Sequence, residues 1–260
     1  MTAEALARLD AITRRLRAEC PWDREQDERS IVPHTIEEAY ELADAAQRGD
    51  DRKLLDELGD VLFQVYFLAL LLEERGAGDL AQVAEHCTEK LIRRHPHVFG
   101  EVEASTAAEV LRNWDEIKSS EAGREKGLFG EVPDNLPSPL YARKVQRRAA
   151  ATGFDFPEVA PVIEAAREEL AEVEAAEAGD HEAQFRELGD LLFAVVNVAR
   201  KLRVDPELSL RAASDRFRTR VTAGSDLAAS EGRSWNDLPP DEQLVYYARA
   251  RLEEGTTDPR

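Results

Sequence analysis

The chain has 260 residues, with 34 Lys and Arg against 53 Asp and Glu, a formal charge of −19. So acidic a surface repels a nucleic-acid backbone, which excludes a nucleic-acid polymer as partner and calls for cations wherever a phosphate compound is held. Two cysteines, Cys20 and Cys87, form neither a disulfide framework nor a CxxC zinc pattern. The longest apolar run, 61–72, is too short to cross a bilayer and reads as a buried helix. Residues 1–17 alternate apolar with charged side chains and lack the apolar core of a signal peptide. The expectation is a soluble, cytoplasmic protein with no membrane partner.

Apolar residues recur at helical spacing, and Ala, Leu, Glu and Arg dominate, which predicts an all-α fold. In chain order the predicted helices are 3–18, 34–47, 51–74, 79–93 and 106–120. A second set follows at 139–151, 158–178, 181–202, 207–228 and 239–253. Between the sets lie Gly123, Gly127, Gly130, Pro133, Pro137 and Pro139, a density of helix breakers that marks a linker. Leu128, Phe129 and Val132 within it are apolar enough to pack on a neighbour. The predicted division is a helical domain at 1–122, a linker at 123–138 and a second helical domain at 139–260.

The two sets share a pattern. Gly49-Asp50 returns as Gly179-Asp180, and Glu57-Leu58-Gly59-Asp60 as Glu187-Leu188-Gly189-Asp190, each 130 residues later. Glu37-Glu38-x-x-Glu41 returns as Glu168-Glu169-x-x-Glu172 at an offset of 131. Lys90 and Arg94 correspond to Arg216 and Arg220, and Trp22-Asp23 to Phe154-Asp155. Two homologous all-α halves are the simplest account.

Residues three and four apart share a helix face. Glu37, Glu38 and Glu41 therefore form one carboxylate ridge, and Glu57 and Asp60 another on the next helix. A turn at Gly49 would set the two ridges face to face. Acids so placed repel one another, and a hard divalent cation relieves that repulsion; oxygen-only ligands favour Mg²⁺ or Mn²⁺. An acidic ridge is often only a solvated face. Here both ExxD motifs run straight into apolar stretches at the edge of a core, and all five acids recur together.

The pattern EExxE, about 15 residues, then ExxD resembles the MazG nucleoside triphosphate pyrophosphohydrolases of the all-α NTP pyrophosphatase superfamily. The resemblance extends through Cys20-Pro21-Trp22-Asp23, through 94–99 (Arg-His-Pro-His-Val-Phe), Trp114-x-x-x-Lys118, 144–148 and Gly153-Phe154-Asp155. It implies tandem helical domains, a homodimer built on four-helix bundles, and Mg²⁺-dependent cleavage of ribo- and deoxyribonucleoside triphosphates between the α and β phosphates. It implies a housekeeping role against aberrant or excess nucleotides. Carried across, Glu38, Glu41, Glu57 and Asp60, and Glu169, Glu172, Glu187 and Asp190, are metal ligands, with Glu37 and Glu168 supporting or joining them. The family's habit favours the second half for the chemistry. That half departs from the pattern at Trp114, where Val245 falls, with Tyr246 and Tyr247 beside it.

Lys90 with Arg94, and Arg216 with Arg220, are one turn apart and suited to clamping phosphates. Trp22, Trp114, Lys118 and Tyr246 are candidates for nucleotide binding, although a core tryptophan is an equal reading of Trp22 and Trp114. His95 and His97 read as a helix-ending turn rather than ligands. Glu38 or Glu169 is the candidate for positioning an attacking water. The alternative function is a non-catalytic helical scaffold that binds a protein through its acidic faces. A di-iron bundle is set aside, because no histidine follows a Glu by three residues.

Overall fold

The computed structural model describes residues 1–107, 109–110, 113–114, 117, 127–130 and 132–257, the last three by backbone alone. The described residues are helical or irregular, with no strand among them, in keeping with the all-α expectation. No helix among them is long and apolar enough to cross a membrane. The chain divides into two compact units, Met1–Arg124 and Glu125–Arg260. The helix predicted at 106–120 and the front of the predicted linker fall largely outside the described residues.

In the first unit α1 (Thr2–Glu19) and the short α2 (Pro21–Glu25) lead into α3 (Glu28–Arg48), α4 (Asp51–Glu74), α5 (Leu80–Arg94) and α6 (Pro96–Phe99). α3 starts well before the predicted residue 34, and its cap explains why. Asp27 Oδ1 accepts the Ser30 backbone N–H at 2.8 Å while Ser30 Oγ accepts that of Asp27 at 2.9 Å, a reciprocal capping box. Ile31, only 1% exposed, then anchors the added turn in the core with Phe67 and Leu71. Pro33 sits inside the helix, so its missing N–H did not end it but lies beyond a start already fixed. Gly49 ends α3 at φ 66°, a left-handed conformation that favours glycine, and Asp50 immediately caps α4. This two-residue connection folds α4 back along α3. α1 is tied to α4 by Arg14 on Glu73 and Arg17 on Glu74.

The second unit runs α7 (Ser138–Ala151), α8 (Val159–Ala176), α9 (His181–Lys201), α10 (Pro206–Ser230), a 3₁₀ turn at Trp235–Asp237 and α11 (Pro240–Thr257). α8 and α9 pair as α3 and α4 do, with Asp180 capping α9 through the Ala183 N–H at 2.9 Å. α10 and α11 approach closely at Gly224, where an added Cβ would lie 3.2 Å from the Tyr246 carbonyl carbon. A small core of Ala228, Leu238 and Tyr246, flanked by Leu227 and Trp235, holds this second pair together.

One feature repeats on the long helix of each unit. Leu55, Leu58, Leu62 and Val65 on α4, and Phe185, Leu188, Leu192 and Val195 on α9, follow a three-four spacing and are all at least 37% exposed. An apolar seam of that spacing is built to meet other helices.

Candidate metal centre

The turn between α3 and α4 brings Glu38, Glu57 and Asp60 together, with one carboxylate oxygen of each within 4.8 Å of the others. Glu169 of α8 meets Glu187 and Asp190 of α9 in the same way. The first cluster reaches inward: Glu57 is 5% exposed, Glu38 half-buried and Asp60 exposed. Desolvation, reinforced by repulsion from Asp60, Glu41, Glu57 and Glu37, raises the Glu38 pKa above the ordinary glutamate value. Desolvation, then Glu172, Asp190, Glu187 and Glu168, raises Glu169 likewise. Each cluster holds more negative charge than its surroundings neutralise. A three-carboxylate, oxygen-only donor set, crowded enough to raise the pKa of Glu38 or Glu169, fits a hard divalent cation, which favours the ionised form of every acid present.

The remaining predicted ligands stand around these triads. Glu37 is exposed, with its Oε2 3.8 Å from His34 Nδ1. Glu41 turns to Lys53, whose ammonium lies 3.5 Å from both Glu41 Oε2 and Glu57 Oε1, bridging α3 and α4. Desolvation works against that ammonium, but Glu57 and then Glu41 outweigh it and raise its pKa. Sequence reasoning passed over Lys53, although its place one turn before Glu57 was a readable signal. The equivalent residue in the second half is Ala183. There the cation is Arg186, two of whose nitrogens donate to the same Glu187 oxygen, Oε1, at 3.0 and 3.1 Å, leaving the other oxygen clear. Glu168 and Glu172 act on Glu169 through their charge.

The basic and aromatic candidates divide between the halves. Arg94 is buried at the end of α5, with its guanidinium 5.4 Å from the Trp114 ring centre, and His95 meets the same indole edge-on at 4.9 Å. Lys90, one turn earlier, has no ion-pair partner among the described residues. Trp22 is 52% exposed and meets His34 edge-on at 5.8 Å. Lys118 lies outside the described residues. In the second half Arg216 is exposed, whereas Arg220 is taken by Glu254 at 2.6 Å. Tyr246 is a core residue, 4% exposed, whose hydroxyl donates to Glu231 at 2.6 Å. The ring beside Arg220 is instead Tyr247, which packs on Phe217 at 5.7 Å.

Paired triads of carboxylates on adjoining helices of an all-α protein form donor sets that could hold metal ions. Residues 26–99, which carry the first triad, match the MazG nucleotide pyrophosphohydrolase domain. The chain is 40% identical over 233 residues to the nucleoside triphosphate pyrophosphohydrolase of Escherichia coli K12, covering 86% of this chain and 89% of that protein. It is also 40% identical to the nucleoside triphosphate pyrophosphohydrolase/pyrophosphatase MazG of Thermotoga maritima, covering 89% of both chains. The Mycobacterium tuberculosis nucleoside triphosphate pyrophosphohydrolase matches at 34% identity over 153 residues, 58% of this chain and 45% of that one. The chain belongs to the MazG family.

Proposed function

We propose that the chain hydrolyses ribo- and deoxyribonucleoside triphosphates to the monophosphate and pyrophosphate, clearing aberrant or excess nucleotides. The observation that carries this reading is the convergence of Glu38, Glu57 and Asp60 within 4.8 Å, repeated by Glu169, Glu187 and Asp190. Those residues would hold Mg²⁺, or Mn²⁺ in its place, with Glu41 and Glu172 and then Glu37 and Glu168 at the margin of the set. A bound divalent ion supplies neutralisation of triphosphate charge and a lowered pKa for water. The chain's own groups do the rest. Glu38, at the mouth of the triad, is suited to orient an attacking water and take its proton. Lys53 and Lys90 bring positive charge to an otherwise acidic face, and Arg94 holds Trp114 as a platform for a base.

The surroundings favour the first half for catalysis. There Lys53 pairs with Glu41 and Glu57 beside the triad, and Arg94 stacks on Trp114, while in the second half Arg220 is committed to Glu254 and Tyr246 to the core. We take the two domains, joined by the 123–138 linker, as products of a tandem duplication. The exposed seams on α4 and α9 suit a homodimer in which paired helices complete four-helix bundles.

Pyrophosphate release from an NTP and dNTP panel tests the reading, with wild type, Glu41→Gln and Glu172→Gln compared. Wild type with Mg²⁺ should release pyrophosphate, and Glu41→Gln should lose most of that activity. No release from any nucleotide would overturn the enzymatic reading and favour a scaffold.

A further inference from the structure

Outside the acidic clusters, the second unit has a cleft of about 670 Å³, between α7, the segment 152–157 and α9. That volume lies in the range of small-molecule sites. Phe129, Phe154, Phe156 and Phe193 line it, and Phe154 is 83% exposed. Four accessible phenylalanine rings around one concavity are unusual on so charged a chain. Gln146 forms part of the wall from α7 and is only 6% exposed. Its Nε2 donates to the Phe193 carbonyl at 2.8 Å, while its Oε1 is buried without a hydrogen-bond partner. An amide oxygen removed from water and left unbonded is unfavourable, and a small turn of the Gln146 side chain that presented it to the cleft would let an N–H donor relieve it.

In the first unit the corresponding hollow is smaller, about 430 Å³, and is walled by charged side chains, Arg14, Arg17, Arg24 and Glu74. Aligning Trp22-Asp23 with Phe154-Asp155, an offset of 132, sets Arg17 against Ala149. The Arg17 guanidinium donates to both Glu74 oxygens at 2.8 Å and to the carbonyls of Asp23 and Gln26, and it lies 5.9 Å from the Phe67 ring centre. At the offset of 130 that relates the long helices, Asn197 replaces Phe67 and Val204 replaces Glu74. The second unit thus lacks the Arg17 guanidinium and its Glu74 and Phe67 partners, and its hollow is larger and lined by rings.

The charges at the cleft are already matched. Asp155 accepts from Arg200 at 2.5 and 3.2 Å and from Lys201 at 3.0 Å; Arg200 first, then Lys201, holds its carboxyl below the usual range. Arg200 also donates to Asn197 Oδ1 at 2.8 Å. The cleft therefore offers ring faces and one hungry acceptor, with its charged groups internally paired.

We propose that this cleft binds a neutral planar heteroaromatic molecule, a nucleobase or nucleoside, with its ring among the phenylalanines and an N–H donated to Gln146 Oε1. The site is separate from the carboxylate clusters and does not depend on catalysis. Calorimetric and ligand-observed NMR titrations of the full chain with adenosine, guanosine, uridine and cytidine test it, run in EDTA so that no metal-dependent site contributes. Wild type should bind at least one nucleoside saturably. Ala149→Arg, which restores the first unit's arginine, should weaken it roughly tenfold or more, and Gln146→Leu to a similar degree. Circular dichroism checks that each variant is folded, and Gln146→Leu decides alone if Ala149→Arg is not. Absence of saturable binding to wild type, or binding that the folded variants leave unchanged, would overturn the proposal. Loss in Ala149→Arg with no change in Gln146→Leu would overturn the hydrogen bond that defines the ligand class.

Discussion

The two carboxylate triads are alike in their acids and unlike in their cations. Glu38, Glu57 and Asp60 share their cleft with Lys53, which reaches across two helices to Glu41 and Glu57. Glu169, Glu187 and Asp190 have Ala183 in that place and a peripheral Arg186 that touches Glu187 alone. Convergence of the acids therefore comes from backbone geometry: helix spacing, a short turn and an aspartate cap in each half. The counter-charge is a separate choice made on top of it. A bridging lysine both draws the acids of two helices together and offers a positive group to an anionic substrate, whereas an exposed arginine on one oxygen does neither.

The sharpest way to break this comparison is to disable each triad in turn. Glu57→Gln removes the most buried acid of the first set and should lower pyrophosphate release roughly a hundredfold or more, while Glu187→Gln should have a much smaller effect. Equal losses would show that the cations around the triads do not set the division of labour.

A smaller effect should follow from exchanging the cations. With the other triad disabled, Lys53→Ala should tighten Mn²⁺ binding at the first triad roughly three- to tenfold, and Ala183→Lys should weaken it at the second by a similar factor. Electron paramagnetic resonance of free Mn²⁺ reads both. If Lys53 also meets the substrate, Lys53→Ala should raise KM for the triphosphate even as metal binding improves.

The smallest and most graded effect is on pH. Glu38 and Glu169 hold protons to higher pH than ordinary glutamates. A proton competes with the metal, so Mn²⁺ affinity should begin to weaken above the usual glutamate range as pH falls. In the metal-free protein the sign is opposite for stability. Between the ordinary and the raised value the folded state binds more protons than the unfolded one, so these two groups make stability decline as pH rises through that window. Thermal melts with and without Mg²⁺ should show the contribution vanish when the ion is bound.

Much of this architecture was legible in the sequence because its signals are local. Helical spacing, Gly49-Asp50 and the EExxE and ExxD registers sufficed to put acids of adjoining helices on facing sides. The selection of three from five was not legible, and Lys53 is not its cause, because the second half makes the same selection with Ala183 in that place. Tyr246 shows the same limit: one residue of helical rotation separates a ring in the core from Tyr247 beside Arg220. The early start of α3 was obscured by Pro33, which normally reads as a boundary, while the Asp27–Ser30 box that fixes the true start is a weaker pattern. Cys20-Pro21-Trp22-Asp23 likewise gave no sign of the short helix it forms.

Anomalous diffraction from crystals grown with Mn²⁺ tests the central claim most directly. Manganese peaks coordinated by Glu38, Glu57 and Asp60, and by Glu169, Glu187 and Asp190, are the predicted result. Well-ordered carboxylates in both triads with no manganese between them, at concentrations that saturate any activity, would contradict it.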